Sequence, residues 1–538
     1  MKVRDSVFDL LRKAGMTTIF GNPGSTEIPM LDAIPADFRY VLGLQESIVV
    51  GMADGFAQAS RSPTLVSLHS AAGVGHALGA VFTASKNQSP LVVIAGQQVR
   101  SMLIHEPYLA ASEATFFPQP HVKWACEPAR AQDVPAALAR AIYVATLPPQ
   151  GPTFLSVPMD DWDQSAEPIA LRRLSRAVVG EPELLDEIAR TLAQAHSPVF
   201  VVGPEVARDE AWNEVVALAE KHAAPVWESP RSSRNSFPEH HALFAGFLPI
   251  SRQDVAACLA GHDIVLVLGA PVFLYHVEGY GGILPPGAQA YQLTQDPDCA
   301  ACAATGTSVL TNLKLGAAAL LAGPVSRQRV PPKKRSLPAR LGGTPLTSAY
   351  VCQEMATLLR PSDVIVEEAP SARLVMQRHL PMTEPDQFYT CASGGLGHGL
   401  PAAIGIALAQ PERRVIALLG DGSSMYSIQG LFTAARLAVP VLFVILNNGS
   451  YRSLVEFGGY GAADLPHWAR LGGIDFVTIA EGFGIHAHLV REAKDLAPTL
   501  ESALRARHTA LVEIAVVDEV TGATTEPIAI AHARPCPK

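Results

Sequence analysis

The sequence predicts an α/β protein made of three doubly wound domains with mainly parallel sheets. Short apolar segments rich in Val, Ile and Leu alternate with segments of helical length along the chain, a pattern typical of parallel strands covered by helices on both faces. A chain of 538 residues is also too long for one hydrophobic core, and its length suggests about three domains of ordinary size. Polar segments at 160–183 and 323–345 interrupt the pattern, so we expect domains at 1–180, 181–340 and 341–538.

The predicted elements begin with an amino-terminal helix, because charged and apolar residues alternate from Met1 to Gly15, where a glycine favours a helix end. The apolar segments that follow are interpreted as strands, because they are short and bounded by turn-forming residues. In the first domain these strands lie at 18–20, 40–44, 65–68, 91–95 and 153–157. In the central domain they lie at 199–202, 226–227, 264–268 and 290–293. In the last domain they lie at 364–366, 415–419, 441–446 and 511–516.

Composition and charge exclude several classes of protein. Apolar residues make up 48% of the chain and charged residues 17%, which suits a well-buried globular protein. A formal net charge of −9 without a long basic run lacks the electrostatic signature of a nucleic-acid-binding protein, so we expect a small-molecule substrate. The amino terminus lacks the apolar core of a signal peptide, and no apolar segment approaches the ~20 residues of a membrane span. The expected location is the cytoplasm, with no membrane partner.

Two local patterns are interpreted as structural. Cys299 and Cys302 form a C-x-x-C pair, but no second pair or nearby histidine completes a metal site, so we expect reduced thiols. Prolines at 323–345 surround the basic residues Lys333, Lys334, Arg335 and Arg340. Such segments are usually solvated linkers rather than binding sites for anions.

Polar residues follow two neighbouring strands of the last domain. Gly420-Asp421-Gly422 ends one strand, and Asn447-Asn448 followed by Gly449-Ser450 ends the next. Asp421 and Asn448 are therefore expected at the carboxyl ends of parallel strands, in the crevice where open α/β sheets bind ligands. With the carbonyl of Ser450, they would offer the hard oxygen ligands that Mg²⁺ prefers. Taken separately, each segment could be a simple turn.

Taken together, the two motifs resemble the signature of thiamine diphosphate enzymes, and the chain resembles that superfamily over essentially its whole length. The implied domain order is pyrimidine-binding, central and diphosphate-binding. Within the 2-oxo acid decarboxylases of the superfamily, the likeness is closest to the benzoylformate decarboxylases. The resembling segments are 20–25, 44–46, 68–73, 123–124 with 127–128, 270–273 with 275–276, and 394–397. His69 and His276, in their sequence contexts, point to this narrower group.

The resemblance implies a role for individual residues. Glu46 would be the acid that activates the cofactor, Ser25 would contact the substrate carboxylate, and His69 and His276 would transfer protons. Leu396 would hold the cofactor bent. Further cofactor contacts are implied for Gly395, Gly420, Gly422, Ser423, Tyr451 and Glu368. The metal ligands would be Asp421, Asn448 and Ser450, with Mg²⁺ bound and Ca²⁺ able to substitute.

Without the family match, each of these residues also has an ordinary structural explanation. A glutamate at a helix start is favoured by the helix dipole, which would account for Glu46. A lone histidine such as His69 or His276 is more often structural than catalytic, and Leu396 alone would be interpreted as a core residue.

Around the implied substrate pocket, the sequence departs from the family. Tyr108 stands where a leucine is expected, Pro370 where a threonine is expected, and Ser453 where a small apolar residue is usual. These changes make one wall more polar, whereas Leu454 and Phe457 still offer apolar surface to an aromatic ring.

The implied activity is the non-oxidative decarboxylation of an aromatic 2-oxo acid, such as the benzoylformate of the mandelate pathway, to an aldehyde and CO₂. A carboligase using the same cofactor and a catalytically silent homologue are the alternatives. The resemblance also implies a homodimer or homotetramer with active sites at the dimer interface.

Overall fold

The computed structural model describes residues 1–460 and 465–517. It contains three six-stranded sheets, and the strand pairs within them are parallel. Helices lie between most of the successive strands in each sheet. The predicted fold class, three α/β domains with parallel sheets, is confirmed.

The amino-terminal sheet has the order β2-β1-β3-β4-β6-β5. Its strands are β1 (Thr18–Gly21), β2 (Arg39–Leu42), β3 (Thr64–Leu68), β4 (Leu91–Gln97), β5 (Ala125–Cys126) and β6 (Thr153–Pro158). Its helices are α1 (Val3–Lys13), α2 (Ile28–Leu31), α3 (Glu46–Ser60), α4 (Ser70–Asn87) and α5 (Val134–Thr146). The predicted helix at the amino terminus is α1, and it ends before Gly15, whose φ is +75°.

The central sheet has the order β12-β11-β10-β7-β8-β9. Its strands are β7 (Pro198–Val202), β8 (Val226–Glu228), β9 (Phe244–Phe247), β10 (Ile264–Leu268), β11 (Gln289–Thr294) and β12 (Thr307–Leu310). Its helices are α6 (Pro182–Gln194), α7 (Glu205–Arg208), α8 (Trp212–His222), α9 (Arg252–Cys258), α10 (Pro297–Ala301) and α11 (Leu313–Ala322).

The carboxyl-terminal sheet has the order β14-β13-β15-β16-β18-β17. Its strands are β13 (Val364–Glu368), β14 (Phe388–Thr390), β15 (Val415–Gly420), β16 (Val441–Asn447), β17 (His486–Val490) and β18 (Ala510–Ala515). Its first helices are α12 (Ser348–Leu358), α13 (Arg373–His379), α14 (Gly399–Ala409) and α15 (Asp421–Met425). The remaining helices are α16 (Gly430–Arg436), α17 (Arg452–Phe457), α18 (Phe476–Gly482) and α19 (Ala493–Arg505).

Every strand predicted from the sequence is present, with ends that shift by one or two residues. The segment expected at 40–44 is β2, which begins at Arg39 and ends at Leu42. The strands that the sequence did not predict are β5, β9, β12, β14 and β17, and each lies at or next to the edge of its sheet. Edge strands lack the continuous apolar run of a strand buried on both faces, as the largely exposed β17 illustrates.

The amino-terminal and carboxyl-terminal domains share one hydrophobic core. They meet most closely where α3 packs against α14, and glycines on both helices allow the backbones to approach. A Cβ at Gly55 would lie 2.2 Å from the carbonyl oxygen of Ala402, and a Cβ at Gly405 would lie 1.9 Å from that of Met52. The central domain instead has hydrophobic clusters of its own.

The two polar segments carry little regular structure, as expected for linkers. The prediction of a solvated basic cluster was wrong for Arg335. Its guanidinium lies over the rings of Phe244 and Phe247, at 5.6 and 5.8 Å, and donates to the carbonyl of Gln377 at 3.1 Å. Aromatic rings of the central domain therefore hold one linker arginine against the body of the protein.

Two expectations from the sequence concern membrane spans and the C-x-x-C pair. Among residues 1–460 and 465–517, no helix combines the length and apolar character needed to cross a membrane. Cys299 and Cys302 are unpaired, and burial raises the pKa of the Cys299 thiol to about 12, which favours an unreactive, protonated group.

Candidate active site

Three of the predicted catalytic residues lie at one edge of the amino-terminal sheet. Ser25 follows β1, Glu46 follows β2 and His69 follows β3, and these strands are neighbours. Because parallel strands end at the same edge of their sheet, the fold brings together side chains that are far apart in sequence. Ser25 is exposed there, whereas Glu46 and His69 are largely enclosed.

Glu46 is the first residue of α3, and only 8% of it is exposed. The side chain of Gln45 caps the helix by accepting from the backbone N–H of Ser47 at 2.7 Å. Glu46 Oε1 accepts from Asn22 Nδ2 at 3.1 Å, and Oε2 lies 3.1 Å from His76 Nδ1. The carboxylate is therefore fixed by polar side chains beside the first turns of α4.

His69 immediately precedes α4, and its side chain is 18% exposed. Its Nδ1 lies 3.0 Å from Glu27 Oε2 and 3.1 Å from Thr26 Oγ1. Gly24 packs directly against the imidazole, since a Cβ on Gly24 would fall 2.0 Å from Nδ1. One ring nitrogen is thus held by the protein, and the other is left for a ligand.

Asp421 and the segment around Asn448 meet at the carboxyl edge of the third sheet. Asp421 Oδ2 accepts from the N–H of Gly449 at 2.8 Å, and Oδ1 accepts from the N–H of Gly422 at 2.8 Å. Asn448 Oδ1 accepts from the N–H of Ser450 at 3.0 Å. The three predicted metal ligands therefore lie on adjoining turns.

The donor chemistry of these turns fits a divalent cation. Burial raises the pKa of the Asp421 carboxyl, because its charged form is poorly solvated there. A bound cation would compensate that negative charge, and carboxylate, amide and carbonyl oxygens suit Mg²⁺ or Ca²⁺.

The glycine-rich loop before α14 is held by Glu368. This buried side chain accepts from the N–H of Gly397 at 2.5 Å and from that of Gly399, and burial raises its pKa to about 8. Gly394 and Gly397 have φ of +75° and +95°, a conformation that favours glycine. Glu368 thus shapes the loop that presents Leu396, which is half-buried, and its carboxylate oxygens are already engaged.

The other predicted cofactor contacts surround Asp421. Gly420 ends β15, and Gly422 and Ser423 lie buried in the first turn of α15. A Cβ on Gly422 would fall 2.5 Å from the ring of Tyr451. Tyr451 therefore covers this turn at close range. Gly395 is exposed in the glycine-rich loop.

His276, from the central domain, meets the carboxyl-terminal domain at α17. Its ring lies edge-to-face with that of Phe457, with centroids 5.2 Å apart. Burial lowers the pKa of His276, and the nearby Arg231 lowers it further. Leu454 and Phe457 are 53% and 44% exposed, so α17 presents an apolar surface beside this histidine, with Ser453 half-buried on the same helix.

Tyr108 and Pro370 lie on exposed segments of two different domains. Tyr108 is 88% exposed, and its loop is tied to the start of α4 by a hydrogen bond from Ser70 Oγ to the carbonyl of Leu109. Pro370 follows β13 at the surface.

Comparisons with known proteins agree with this geometry. Family models of thiamine pyrophosphate enzymes match the chain three times: the N-terminal TPP binding domain at residues 1–109, the central domain at 185–309 and the C-terminal TPP binding domain at 370–514. Benzoylformate decarboxylase of Pseudomonas aeruginosa is 43% identical over 95% of this chain and 98% of its own length. The chain belongs to the thiamine pyrophosphate enzyme family. The expected likeness to thiamine diphosphate-dependent 2-oxo acid decarboxylases, which are carbon–carbon lyases, is thereby confirmed.

Solved structures of thiamine pyrophosphate enzymes match over nearly the whole chain. A 4-hydroxybenzoylformate decarboxylase of Rhodococcus jostii has a TM-score of 0.93 and 40% identity, covering 96% of this chain and all of that one. A benzoylformate decarboxylase of Polynucleobacter necessarius has a TM-score of 0.93 and 37% identity, covering 96% and 98%. The acetolactate synthase large subunit of Haemophilus influenzae is more distant, at 26% identity over 89% of this chain and 88% of its own.

Within one chain of this thiamine pyrophosphate enzyme, the two halves of the site stand apart. Glu46 contacts His76 near the start of α4, whereas the glycine-rich loop meets α4 near its end, where Thr83 Oγ1 lies 2.8 Å from Ser393 Oγ. The stretch from His76 to Thr83 spans about 10 Å of helix. The acid and the loop of one chain therefore contact α4 about two turns apart.

The side chains of Asn22, Glu27 and His76 also belong to the site, although the sequence did not predict them as functional. Each contacts a predicted catalytic residue through a hydrogen bond. Asn22 lies in a segment that resembles the family, which was the available signal. Glu27 and His76 lie in no recognised motif, and only the tertiary structure brings them to the site.

Proposed function

We propose that the protein is a thiamine diphosphate- and Mg²⁺-dependent decarboxylase of an aromatic 2-oxo acid, benzoylformate or a ring-hydroxylated relative. The observation that carries the proposal is that Ser25, Glu46, His69 and His276 are all present, in a chain 43% identical to a benzoylformate decarboxylase. The 40% identity to a 4-hydroxybenzoylformate decarboxylase supports the inclusion of hydroxylated rings.

The residues divide between cofactor binding and proton transfer. Asp421, Asn448 and the carbonyl of Ser450 would hold Mg²⁺, and the glycine-rich loop around Leu396 would hold the cofactor. When bound, thiamine diphosphate supplies the electron sink that decarboxylation requires. Glu46 would hold and release a proton at its buried carboxyl group, which the capped start of α3 keeps in place.

The substrate would be bound and protonated by side chains at the edge of the amino-terminal sheet and by His276 of the central domain. The exposed hydroxyl of Ser25 is available to bind the substrate carboxylate, and His69 would move protons at Nε2, since Nδ1 is engaged. His276 would act from the other side, next to the apolar surface of Leu454 and Phe457, on which an aromatic ring can pack. Positioned proton transfer of this kind is typically worth about 10²- to 10⁴-fold in rate.

We propose further that the working unit is a dimer in which Glu46, Ser25 and His69 of one chain face the Asp421 cradle of the other. The separation of these groups along α4 supports this arrangement. The 83% exposure of Ile104, 88% of Tyr108 and 72% of Phe116 also supports it, since exposed apolar patches commonly mark interfaces.

The first experiment measures aldehyde and CO₂ release from benzoylformate, 4-hydroxybenzoylformate, phenylpyruvate and pyruvate, with and without thiamine diphosphate and Mg²⁺. Cofactor-dependent release of the aromatic aldehyde from one of the first two acids is the expected result. Ligated products instead of free aldehyde would favour a carboligase. Absence of turnover with every acid, despite bound cofactor, would overturn the proposal.

A further inference from the structure

Glu27 is a buried carboxylate next to His69 that the proposed chemistry does not yet use. It ends the short turn Ser25–Glu27, which also carries Ser25, and it is 3% exposed. Its Oε1 accepts from the N–H of Gly96 at 2.9 Å and from Thr26 Oγ1 at 2.6 Å. Its Oε2 accepts from the N–H of Gly24 at 2.9 Å and lies 3.0 Å from His69 Nδ1.

These contacts determine where the histidine carries its proton. An ionised carboxylate only accepts hydrogen bonds, and Glu27 already receives them from two backbone amides and a hydroxyl. Its remaining partner, His69 Nδ1, must therefore donate, which leaves the Nε2 lone pair free in the neutral ring. Thr26 is consistent with this tautomer, because its hydroxyl donates to Glu27 and can accept from Nδ1, 3.1 Å away.

The surrounding backbone is shaped to admit this cluster. A Cβ on Gly96 would fall 2.1 Å from Glu27 Oε1, and a Cβ on Gly24 would fall 2.0 Å from His69 Nδ1. Any other residue at either position would displace the carboxylate or the imidazole. Two glycines from separate segments thus make room for the contact between Glu27 and His69. A chance ion pair on a surface would not need such room.

We propose that Glu27 is a positioning residue for the reaction: it holds His69 in the Nδ1–H tautomer, so that Nε2 is the atom that exchanges protons with the substrate. The inference rests on the proposed function. A carboxylate that orients a catalytic histidine in this way has a large effect on rate without touching the substrate.

The test compares Glu27→Gln with Glu205→Gln in the holoenzyme. Glu205 is a matched control, because it is buried in the central domain and accepts from Thr294 Oγ1 at 2.6 Å and from the N–H of Gln295 at 2.9 Å. Glu27→Gln should lower kcat by about 10²-fold or more, with a smaller change in KM. Glu27→Asp, which keeps a carboxylate at this position, should recover part of the lost kcat. Glu205→Gln should leave kcat and KM unchanged.

A second measurement does not depend on turnover. Diethyl pyrocarbonate labels the free lone pair of a neutral imidazole, and mass spectrometry of the His69 peptide measures the rate of labelling at a fixed pH. Glu27→Gln should lower this rate by about twofold or more, because the ring is no longer held in the tautomer that leaves the Nε2 lone pair free, and Glu27→Asp, which keeps the charge, should restore it. If His69 is labelled at the same rate in wild type and Glu27→Gln, the proposal is overturned, even in an enzyme that decarboxylates. If the rate falls in a protein that turns over none of the acids, the proposed function fails and the coupling of Glu27 to His69 stands.

Discussion

At the scale of single residues, the acidic side chains of the candidate site are buried and held in place. Glu27, Glu46, Glu368 and Asp421 are each at most 8% exposed, and all four make hydrogen bonds to groups of their own domain. Burying a carboxyl without such partners would be costly. Their positions are thus determined before any ligand binds, which reduces the ordering that ligand binding requires.

Glu46→Gln removes the acid and keeps its shape. Since neither Glu46 nor its partners Asn22 and His76 lie in the Asp421 turns, thiamine diphosphate should still bind with an affinity within about tenfold of wild type, while kcat should fall by about 10²-fold or more. Titration of cofactor binding by protein fluorescence, together with a steady-state assay, measures the two quantities separately. Unchanged kcat would contradict the role of Glu46.

Asp421→Asn removes the only carboxylate proposed as a metal ligand. We expect Mg²⁺ and cofactor affinity to fall by about 10-fold or more, because an amide oxygen compensates the metal charge less well. The control is Glu513→Gln. Glu513 is a buried carboxylate on β18 of the same sheet, and it accepts a hydrogen bond from Asn447. Equal loss of metal affinity in both variants would indicate that the effect is not due to ligation.

At the scale of secondary-structure elements, the site depends on how α3 of the amino-terminal domain packs against α14 of the carboxyl-terminal domain. α3 begins with Glu46, and α14 follows the glycine-rich loop, so their mutual packing fixes the distance between the acid and the loop of the same chain. The contact is close because of Gly55 and Gly405, whose hydrogens face the carbonyls of Ala402 and Met52. A shift of either helix would therefore move catalytic groups as well as core residues.

Gly405→Ala would place a methyl group 1.9 Å from the carbonyl oxygen of Met52 and force the helices apart. We expect a loss of about 1–3 kcal/mol of stability, visible as a lower midpoint in chemical unfolding. Gly482→Ala, at the end of α18, is the matched control because nothing lies within 4 Å of its added Cβ. A Gly405→Ala protein as stable as Gly482→Ala would show that α3 and α14 can admit the methyl group without loss of stability.

At the scale of the whole molecule, polar groups join all three domains around Asp386. This side chain accepts from Arg61 of the amino-terminal domain at 2.5 Å and from Arg234 of the central domain. Nearby, Glu228 and Glu239 line a cavity between the central and carboxyl-terminal domains together with Arg373. Interdomain contacts of this polar kind make the assembly sensitive to pH.

Burial raises the pKa of Glu228 from 4.5 to about 7, and it raises that of Glu239 well above the ordinary value. The stability contributed by such groups is complete below their unfolded-state pKa and is lost as pH rises through the folded-state value. We therefore expect the thermal midpoint to fall as pH rises from about 4.5 through about 7, and Glu239→Gln to flatten that fall. A pH profile identical in wild type and Glu239→Gln would contradict this origin.

The proposed dimer makes a prediction about mixed chains. Glu46→Gln and Asp421→Asn chains are each inactive alone, but a heterodimer would contain one site with both intact residues. Random exchange should restore about a quarter of wild-type activity, because half the dimers are mixed and each has one good site. Size-exclusion chromatography with light scattering would report the assembly. No recovery from demonstrably mixed dimers would place each active site within one chain.

Some of these features follow from the sequence alone. The fold class could be predicted because strands buried on both faces are continuous apolar runs, and Asp421 and Asn448 could be singled out because each stands in a motif directly after such a run. Glu46 was singled out only by the resemblance to the family. The edge strand β17 escaped prediction since much of its surface faces solvent, which leaves a weaker pattern, whereas β14 is buried but only three residues long. Arg335 was assigned to solvent because its packing on Phe244 leaves no trace in local composition.

Only the tertiary structure determined which residues meet. Glu27 and His69 are separated by 42 positions, and His276 and Phe457 belong to different domains, so no local pattern records their contact. The same holds for Gly96, whose missing side chain makes room for a carboxylate from another strand's loop. Local sequence encodes periodicity, caps and turns, because these depend on neighbouring residues. The pairing of a histidine with its carboxylate depends on the order of strands in a sheet, which is decided when the whole core packs.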